Sequence, residues 1–364
     1  MTTPHSIQEL NRTKPCSQAL RHPAWEELLS LLRLYGVDGM ETVGLMDTSH
    51  DERDVRWNYI IDNKYVLRLT NAPEMTEARL RDLNRLIARY GEFGLRCPAF
   101  LPGLDGRFLH GWGRLTVYLS EYADLPIAEA AGLSEAEQDA LRTEVVLSLA
   151  GFMERYKGVD LIPTMGMYSL FELSPYDAPV GVDEKQQNMD SLCAALEEAG
   201  EGALARRLAA RNEEVRTRLK IVYASLPRCV TQGDENFSNV LLDGEKHLAG
   251  LIDFNLSGTD VCVNLIANNA DFDLDVYHDR PLDPEDALEK ALSSYRRNAA
   301  LILGVYHAAD EERRALPDCA WIALSSMWPY VCAFRDRLQK EAARPSTVAL
   351  LGLIADLDLA KLTV

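Results

Sequence analysis

Three polar residues within one short stretch carry the chemistry that this chain could do. Asp234 is followed five residues later by Asn239, and Asp253 closes the next apolar run. Phosphoryl transfer from a nucleotide needs such a set. One carboxylate orients an attacking hydroxyl and takes its proton. An amide oxygen and a second carboxylate hold the Mg²⁺ that offsets the phosphate charge. A lone Asp-x-x-x-x-Asn would read as the polar end of an ordinary surface hairpin. Here the intervening residues say more. Val240, Leu241 and Leu242 make a short apolar strand, Asp243-Gly244 signals a turn, and residues 248–252 make a second strand. Folding that hairpin brings Asn239 and Asp253 to one open end, with Asp234 on the loop before it.

The elements that must position these groups can be read along the chain. A helix is expected over 24–35, with Trp25, Leu28, Leu29 and Leu32 on one face and Gly36 at its end. Strands follow at 55–61 and 64–70, joined at Asp62-Asn63. A helix over 74–90 shows a stripe of Leu80, Leu83, Leu86, Ile87 and Tyr90, with Pro73 suited to its first turn. Further strands read at 99–104, 107–110 and 115–120. Beyond Tyr122 the chain turns helical. A helix over 134–156 opens on a Ser134/Glu137 capping box, and a long helical stretch over 184–225 breaks near Gly200. Three more helical stretches read at 284–305, 310–342 and 346–361, with Pro317 and Pro329 set to break or kink the second. The class is α+β, with a small mixed-sheet lobe over 1–121 and a mainly helical catalytic lobe over 122–364.

The stretch 233–254 resembles the aminoglycoside phosphotransferase and choline kinase group, small-molecule kinases with a bilobal protein-kinase-like fold. That group carries His-Gly-Asp-x-x-x-x-Asn, a hairpin, then Ile-Asp-Phe or Ile-Asp-Trp. Gly233, Asp234, Asn239, Asp253 and Phe254 fall on the pattern, and Gln232 stands where the group usually has His. The resemblance covers about residues 43–270 and is strongest at 233–254. It implies Asp234 as catalytic base, Asn239 and Asp253 as Mg²⁺ ligands, and ATP or GTP as co-substrate. It also aligns Asn264 with a position that is often Asp, where a bracing role is expected.

A triphosphate needs a cation, which the kinase pattern places on the strand before the small-lobe helix and pairs with a Glu of that helix. Arg68 holds the cation position; Glu77 is its expected partner and Glu74 the alternative. Arg keeps its charge and can grip phosphate bidentately. Residues 48–54 contain no Gly, so no Gly-rich loop covers the phosphates; Ser49 and His50 could offer donors there. There is no Gly-x-x-x-x-Gly-Lys-Ser/Thr loop either. Residues 116–120 followed by Glu121-Tyr122 resemble the hinge of that fold, where backbone groups of Ser120, Glu121 and Tyr122 would bond the base edge.

Composition narrows the partners. With 38 Lys and Arg against 56 Asp and Glu, the formal charge is −18, which argues against nucleic acid. An acidic surface suits a cationic substrate, although many soluble proteins are simply acidic. The seven Cys are scattered, odd in number and lack a Cys-x-x-Cys pair, which fits a reducing cytoplasm. No leader pattern opens the chain, and no apolar run approaches the ~20 residues of a membrane span.

Two further clusters could bear on a substrate. Asp271, Asp273 and Asp275 mimic the start of a calcium loop, but Val276 and Leu282 replace its required Gly and Glu. If extended, the segment puts three carboxylates on one side for a cationic substrate; otherwise it is a solvated acidic loop. Trp321, Trp328 and Tyr330 could box an ammonium group, but Trp321, Met327, Trp328, Val331 and Phe334 fit a helical core stripe, which is the preferred reading. The expected activity is transfer of a γ-phosphoryl group to a hydroxyl of a small molecule. The alternatives are a catalytically dead binding or scaffold module, favoured only by Gln232 and Arg68, and a protein kinase. The missing Gly-rich loop and His-Arg-Asp triplet speak against the latter.

Overall fold

A computed structural model describes residues 20–177 and 180–364. The amino-terminal residues that bear on a leader, and Cys16, lie outside the described residues. Contacts divide the chain into two compact units. One holds the residues up to Leu141 together with Asp234–Phe254; the other holds Arg142–Gly233 and Asn255–Val364. The division expected at residue 121 left the hairpin with the later lobe. It joins the first unit because its backbone is hydrogen-bonded there, as described below.

The first unit is built on β1 (Val43–Asp47), β2 (Arg56–Ile61), β3 (Tyr65–Thr70), β4 (Phe100–Leu101), β5 (His110–Trp112) and β6 (Leu115–Glu121). They form one antiparallel sheet in the order β1-β2-β3-β6-β4, with β5 also on β6. In the three-residue β2–β3 connection Asp62 and Asn63 both take left-handed backbone, φ 52° and 50°, and the Lys64 N–H donates to the Ile61 carbonyl at 2.9 Å to close the turn. Helix α1 (Trp25–Leu34) buries Leu28, Leu31 and Leu32 against one face, among Trp57, Tyr59, Leu67, Leu69, Val117 and Leu119. Those residues alternate along their strands, so Arg68, Tyr118 and Ser120 face the other way.

Helix α2 (Glu77–Phe93) buries the expected stripe. It starts three residues later than expected, because Thr76 rather than Pro73 opens it: the Thr76 side chain accepts the Arg79 N–H at 3.1 Å. Gly94, φ 106°, ends it. Helix α3 (Glu135–Tyr156) opens on the expected capping box, with Ser134 N–H on Glu137 at 2.8 Å.

In the second unit, α4 (Glu184–Glu198) and α5 (Gly202–Val222) bear out the break near Gly200. Strand β7 (Arg228–Thr231) pairs with the strand Gly258–Val261, which leads into helix α6 (Cys262–Asn269). Helices α7 (Pro284–Leu303), α8 (Asp310–Ser326), α9 (Trp328–Gln339) and α10 (Arg344–Ala355) complete it. The stretch expected over 310–342 breaks at Met327, and Pro329 sits in the first turn of α9, where its missing N–H costs nothing. Pro317 is carried inside α8. Of the expected stripe, Trp321, Val331 and Phe334 are core and Met327 is half-buried, but Trp328 is 59% exposed.

The Asp271 segment is not extended. Asp271 and Asp273 have φ 42° each. Asp271 accepts the Tyr330 hydroxyl, Asp273 pairs with Lys290, and Asp275 pairs with His278 and Arg280. The carboxylates are tied one by one within the unit rather than presented together. Asn264 donates to Asp260 at 3.0 Å and to the Tyr168 carbonyl at 2.6 Å, linking the strand after the motif to a neighbouring loop.

Candidate active site

The first unit also contains β8 (Val240–Leu242) and β9 (Leu248–Leu251), paired with Val240 opposite Leu251. Their connection is longer than the two-residue turn expected at Asp243-Gly244. Asp243 takes the N–H groups of Glu245 and His247 on its carboxylate, and Lys246 is the left-handed residue, φ 69°. The hairpin is anchored along both edges. Arg96 N–H donates to Ala249 O at 2.9 Å, Leu251 N–H donates to Arg96 O at 3.1 Å, and Leu242 N–H donates to Pro126 O at 2.9 Å. Only Gly can stand at 250, because a Cβ there would lie 1.9 Å from the Arg96 carbonyl oxygen. Gly250→Ala is expected to destabilise the protein by about 2 kcal/mol or more, read as a lowered urea midpoint at unchanged slope. An unchanged midpoint would mean that the Arg96 strand gives way.

Rigid anchoring matters because the hairpin's open end carries the polar set. The Ile252 N–H donates to the Asn239 carbonyl at 2.9 Å, continuing the ladder one step and placing Asp253 just beyond. Asn239 is buried, and its amide nitrogen donates to both the carbonyl and the Oδ2 of Asp234, each at 2.9 Å. Both partners are acceptors, so the amide must turn its NH₂ to them and its oxygen outward. Asn236, which sequence reasoning missed, donates to Asp234 Oδ1 at 2.7 Å. Asp234 is thus fixed by a hydrogen bond on each oxygen. Burial pushes its carboxyl above the usual range and the Asp253 charge adds to this; the Asn236 and Asn239 hydrogen bonds oppose it.

Asp253 has φ 57°, a left-handed conformation rare outside Gly and most tolerated by Asp and Asn. The following Phe254 is buried and packs edge-on against Tyr90 of α2, ring centroids 5.6 Å apart. The Ile-Asp-Phe closure therefore fastens Asp253 to the helix beside the sheet. The preceding Gly233 is left-handed too, φ 85°, and a Cβ there would meet the Leu256 carbonyl at 2.8 Å. Gln232 is fully buried, with its carbonyl accepting the Ser257 hydroxyl at 3.0 Å.

On the sheet, Arg68 of β3 lies opposite Tyr118 of β6, and Val66 lies opposite Ser120. Arg68 Nε and the Ser120 hydroxyl are both buried without a hydrogen-bond partner. Two orphaned polar atoms on one face are what an absent polar ligand leaves behind. Glu77, the expected partner of Arg68, is spent elsewhere. Its carboxylate accepts the N–H groups of Phe108 and Leu109 and pairs with Arg81. Position 77 is in the first turn of α2, so it meets the loop before β5 rather than β3. Glu74, the alternative, is instead among the charges acting on the Tyr118 hydroxyl, along with Asp253 and Arg68. In the loop before β2 the backbone donors are spent locally. Ser49 N–H donates to Asp47, His50 N–H donates to Asp54 O, and the Ser49 hydroxyl accepts from Arg56 N–H. Neither backbone donor remains for phosphate. At the hinge, Glu121 N–H is taken by Ala99 O and Tyr122 N–H by Lys64 O. Ala99 N–H turns to the Glu121 carboxylate, away from the Glu121 carbonyl. A cleft of about 520 Å³ lies at this end of the sheet, lined by Lys64, Tyr65, Arg96, Glu121, Tyr122 and Asp124 among others.

The family model described as "Phosphotransferase enzyme family" matches residues 52–262. This chain belongs to that family. The matched stretch contains Arg68, Tyr118, Ser120, Asp234, Asn239 and Asp253. Among solved structures, the chain is similar to the amicoumacin kinase hAmiN in complex with AMP-PNP, Ca²⁺ and Ami, at 12% identity, TM-score 0.51, covering 93% of this chain and 98% of that one. Spectinomycin phosphotransferase APH(9)-Ia, in complex with ADP and spectinomycin, gives 11% identity, TM-score 0.49, and 91% and 98% coverage. An aminoglycoside phosphotransferase from Alicyclobacillus acidocaldarius gives 15%, 0.47, and 93% and 97%. No curated protein sequence is significantly similar. The family match and the amicoumacin kinase likeness make the fold protein-kinase-like, with an antiparallel sheet early, where a mixed one was expected, and helices dominating later.

The donor set suits Mg²⁺, the ion expected for transfer from a nucleotide. Mg²⁺ takes hard oxygen ligands, few of them from protein and the rest from phosphate and water. The Asn239 amide oxygen and the Asp253 carboxylate are of that kind, at one end of one hairpin. Among the described residues no group of three or more His, Cys, Asp or Glu could hold a metal by itself. Nor, among them, is any helix long and apolar enough to cross a membrane.

Proposed function

We propose that this phosphotransferase transfers the γ-phosphoryl group of ATP or GTP to a hydroxyl of a small molecule, in a Mg²⁺-dependent reaction. The observation that carries this reading is the Asp234–Asn239 pair, hydrogen-bonded at 2.9 Å and set beside Asp253 on an anchored hairpin. Asn239 and Asp253 would hold Mg²⁺, which when bound neutralises phosphate charge. Asp234 orients the acceptor hydroxyl and takes its proton as the new O–P bond forms and the bond to the departing nucleoside diphosphate breaks. Arg68 offers its unpartnered Nε edge to the phosphates. The Glu121 carbonyl and Ser120 hydroxyl are the polar groups left for the base. A cationic acceptor would suit the net charge of −18, and the cytoplasm the cysteine usage.

The experiment is ADP or GDP release followed with a panel of small hydroxylated amines, sugars and antibiotics. Acceptor-dependent release, with a phosphorylated product found by mass, is the expected result. Absence of release together with absence of nucleotide binding would leave a binding or scaffold module. The pH profile adds a check. Asp234 acts deprotonated, and its carboxyl is raised, so kcat/KM should fall as pH drops through a value above the ~3.9 of an ordinary Asp. An acid limb at or below that value would remove Asp234 from the role.

A further inference from the structure

Arg68 and Tyr118 are directly opposed across antiparallel β3 and β6. Directly opposed side chains leave a sheet on the same face, with Cβ atoms ~5 Å apart. This is the face away from α1, because Leu67, Leu69, Val117 and Leu119 fill the α1 core. Tyr118 is 3% exposed, and its ring packs edge-on against Phe100 at 5.7 Å. A phenol buried so deeply needs a partner for its oxygen. The residue facing it across the strands is Arg68; burial raises the Tyr118 hydroxyl above its ordinary range, the Arg68 guanidinium opposes that rise, and the Asp253 and Glu74 carboxylates add to it. Arg68 in turn has no carboxylate within ion-pair distance among the described residues, and its Nε has no acceptor. The first-turn Glu77 cannot serve, because Phe108, Leu109 and Arg81 hold it.

We propose that Tyr118 is the positioning residue of the phosphate clamp: its hydroxyl accepts from the Arg68 guanidinium and fixes that group so that the buried Nε, which has no protein acceptor, is left for the nucleotide phosphates. This rests on the reading of the site as a nucleotide site. The chemistry differs from a helix carboxylate paired to the cation. A carboxylate partner offsets part of the cation's charge, whereas a neutral phenol fixes the guanidinium and leaves its full charge for phosphate. It also moves the brace from a helix to the neighbouring strand, so the clamp is set by sheet register alone.

The test is calorimetric binding of MgATP and of adenosine to the full chain, as wild type, Tyr118→Phe, Arg68→Met and the double variant. Tyr118→Phe removes one oxygen and keeps the ring on Phe100; thermal unfolding verifies that it folds. The expected result is a loss of about tenfold in MgATP affinity, the size of one hydrogen bond to a charged group, with adenosine affinity unchanged. In the Arg68→Met background Tyr118→Phe should cost nothing further, since the two act as one unit. Equal MgATP affinity in Tyr118→Phe, an equal loss for adenosine, or full additivity would overturn the role of Tyr118. A second readout needs no variant: the Arg68 Nε–H resonance of the wild type should shift on adding MgATP, and a resonance that stays put would overturn it too. A wild type that binds neither nucleotide nor adenosine would instead overturn the underlying reading.

Discussion

Asp234→Asn is expected to lower kcat by about 10²–10⁴-fold, about 3–5 kcal/mol of barrier, while MgATP still binds. The amide is nearly the same size as the carboxylate but cannot take the acceptor's proton. The substitution also reveals how the residue is held. Asn236 and Asn239 each present an NH₂ group to one oxygen of Asp234. An Asn at 234 offers one oxygen and one NH₂, so one of the two donors is left facing another donor. That costs about 1–2 kcal/mol of stability, which a denaturation curve would show separately from the rate. Unchanged turnover in a folded variant would assign the base elsewhere. Loss of MgATP binding along with turnover would mean that the variant had disturbed Asn239 and the metal end of the hairpin.

The second large effect is at Asp253. Asp253→Asn is expected to abolish the Mg²⁺ dependence of nucleotide binding, a loss of about 2–5 kcal/mol for one member of a close charged set and so about 30-fold or more in Kd. Asn is preferable to Ala here. The backbone is left-handed at φ 57°, and Asn adopts that conformation far more readily than Ala, so a loss can be assigned to the missing charge. Titrating ATP with and without Mg²⁺ separates the outcomes. Binding that is equally Mg²⁺-dependent in both proteins would sink Asp253 as a ligand. The variant carries a second consequence. Asp253 is one of the causes holding the Asp234 carboxyl high, so its removal should move the Asp234 titration toward lower pH, visible in a carboxyl NMR titration.

Much of this site could be read from the chain because local spacing sets it. Asp234, Asn239 and Asp253 are tied to a hairpin of two apolar runs, and any folding of that hairpin puts Asn239 beside Ile252 and Asp253 at the open end. The β2–β3 turn at Asp62-Asn63 and the stripe of α2 were legible for the same reason, since turn chemistry and helical period are properties of a few consecutive residues. What failed to read depended on partners far along the chain. Glu77 has the right residue type near the right helix end, yet its carboxylate is claimed by the N–H groups of Phe108 and Leu109, 31 and 32 residues away. The backbone N–H groups of Ser49 and His50 are taken by the closing of their own loop. Asp271, Asp273 and Asp275 alternate as a strand would, but left-handed backbone at the first two and separate partners, Tyr330, Lys290 and His278, make the segment a loop, the other reading the sequence offered.

The sequence by itself therefore determined the class of the chain, the hairpin and the three oxygen-bearing groups on it, because these follow from residue type and short-range period. Only the tertiary structure decided which cationic and polar groups surround them. Tyr118 becomes a partner of Arg68 only when β3 and β6 pair in one register, and a slip of a single residue would turn every side chain of β6 to the opposite face. Sheet register is fixed by burial against α1, a long-range balance that no short stretch of sequence contains.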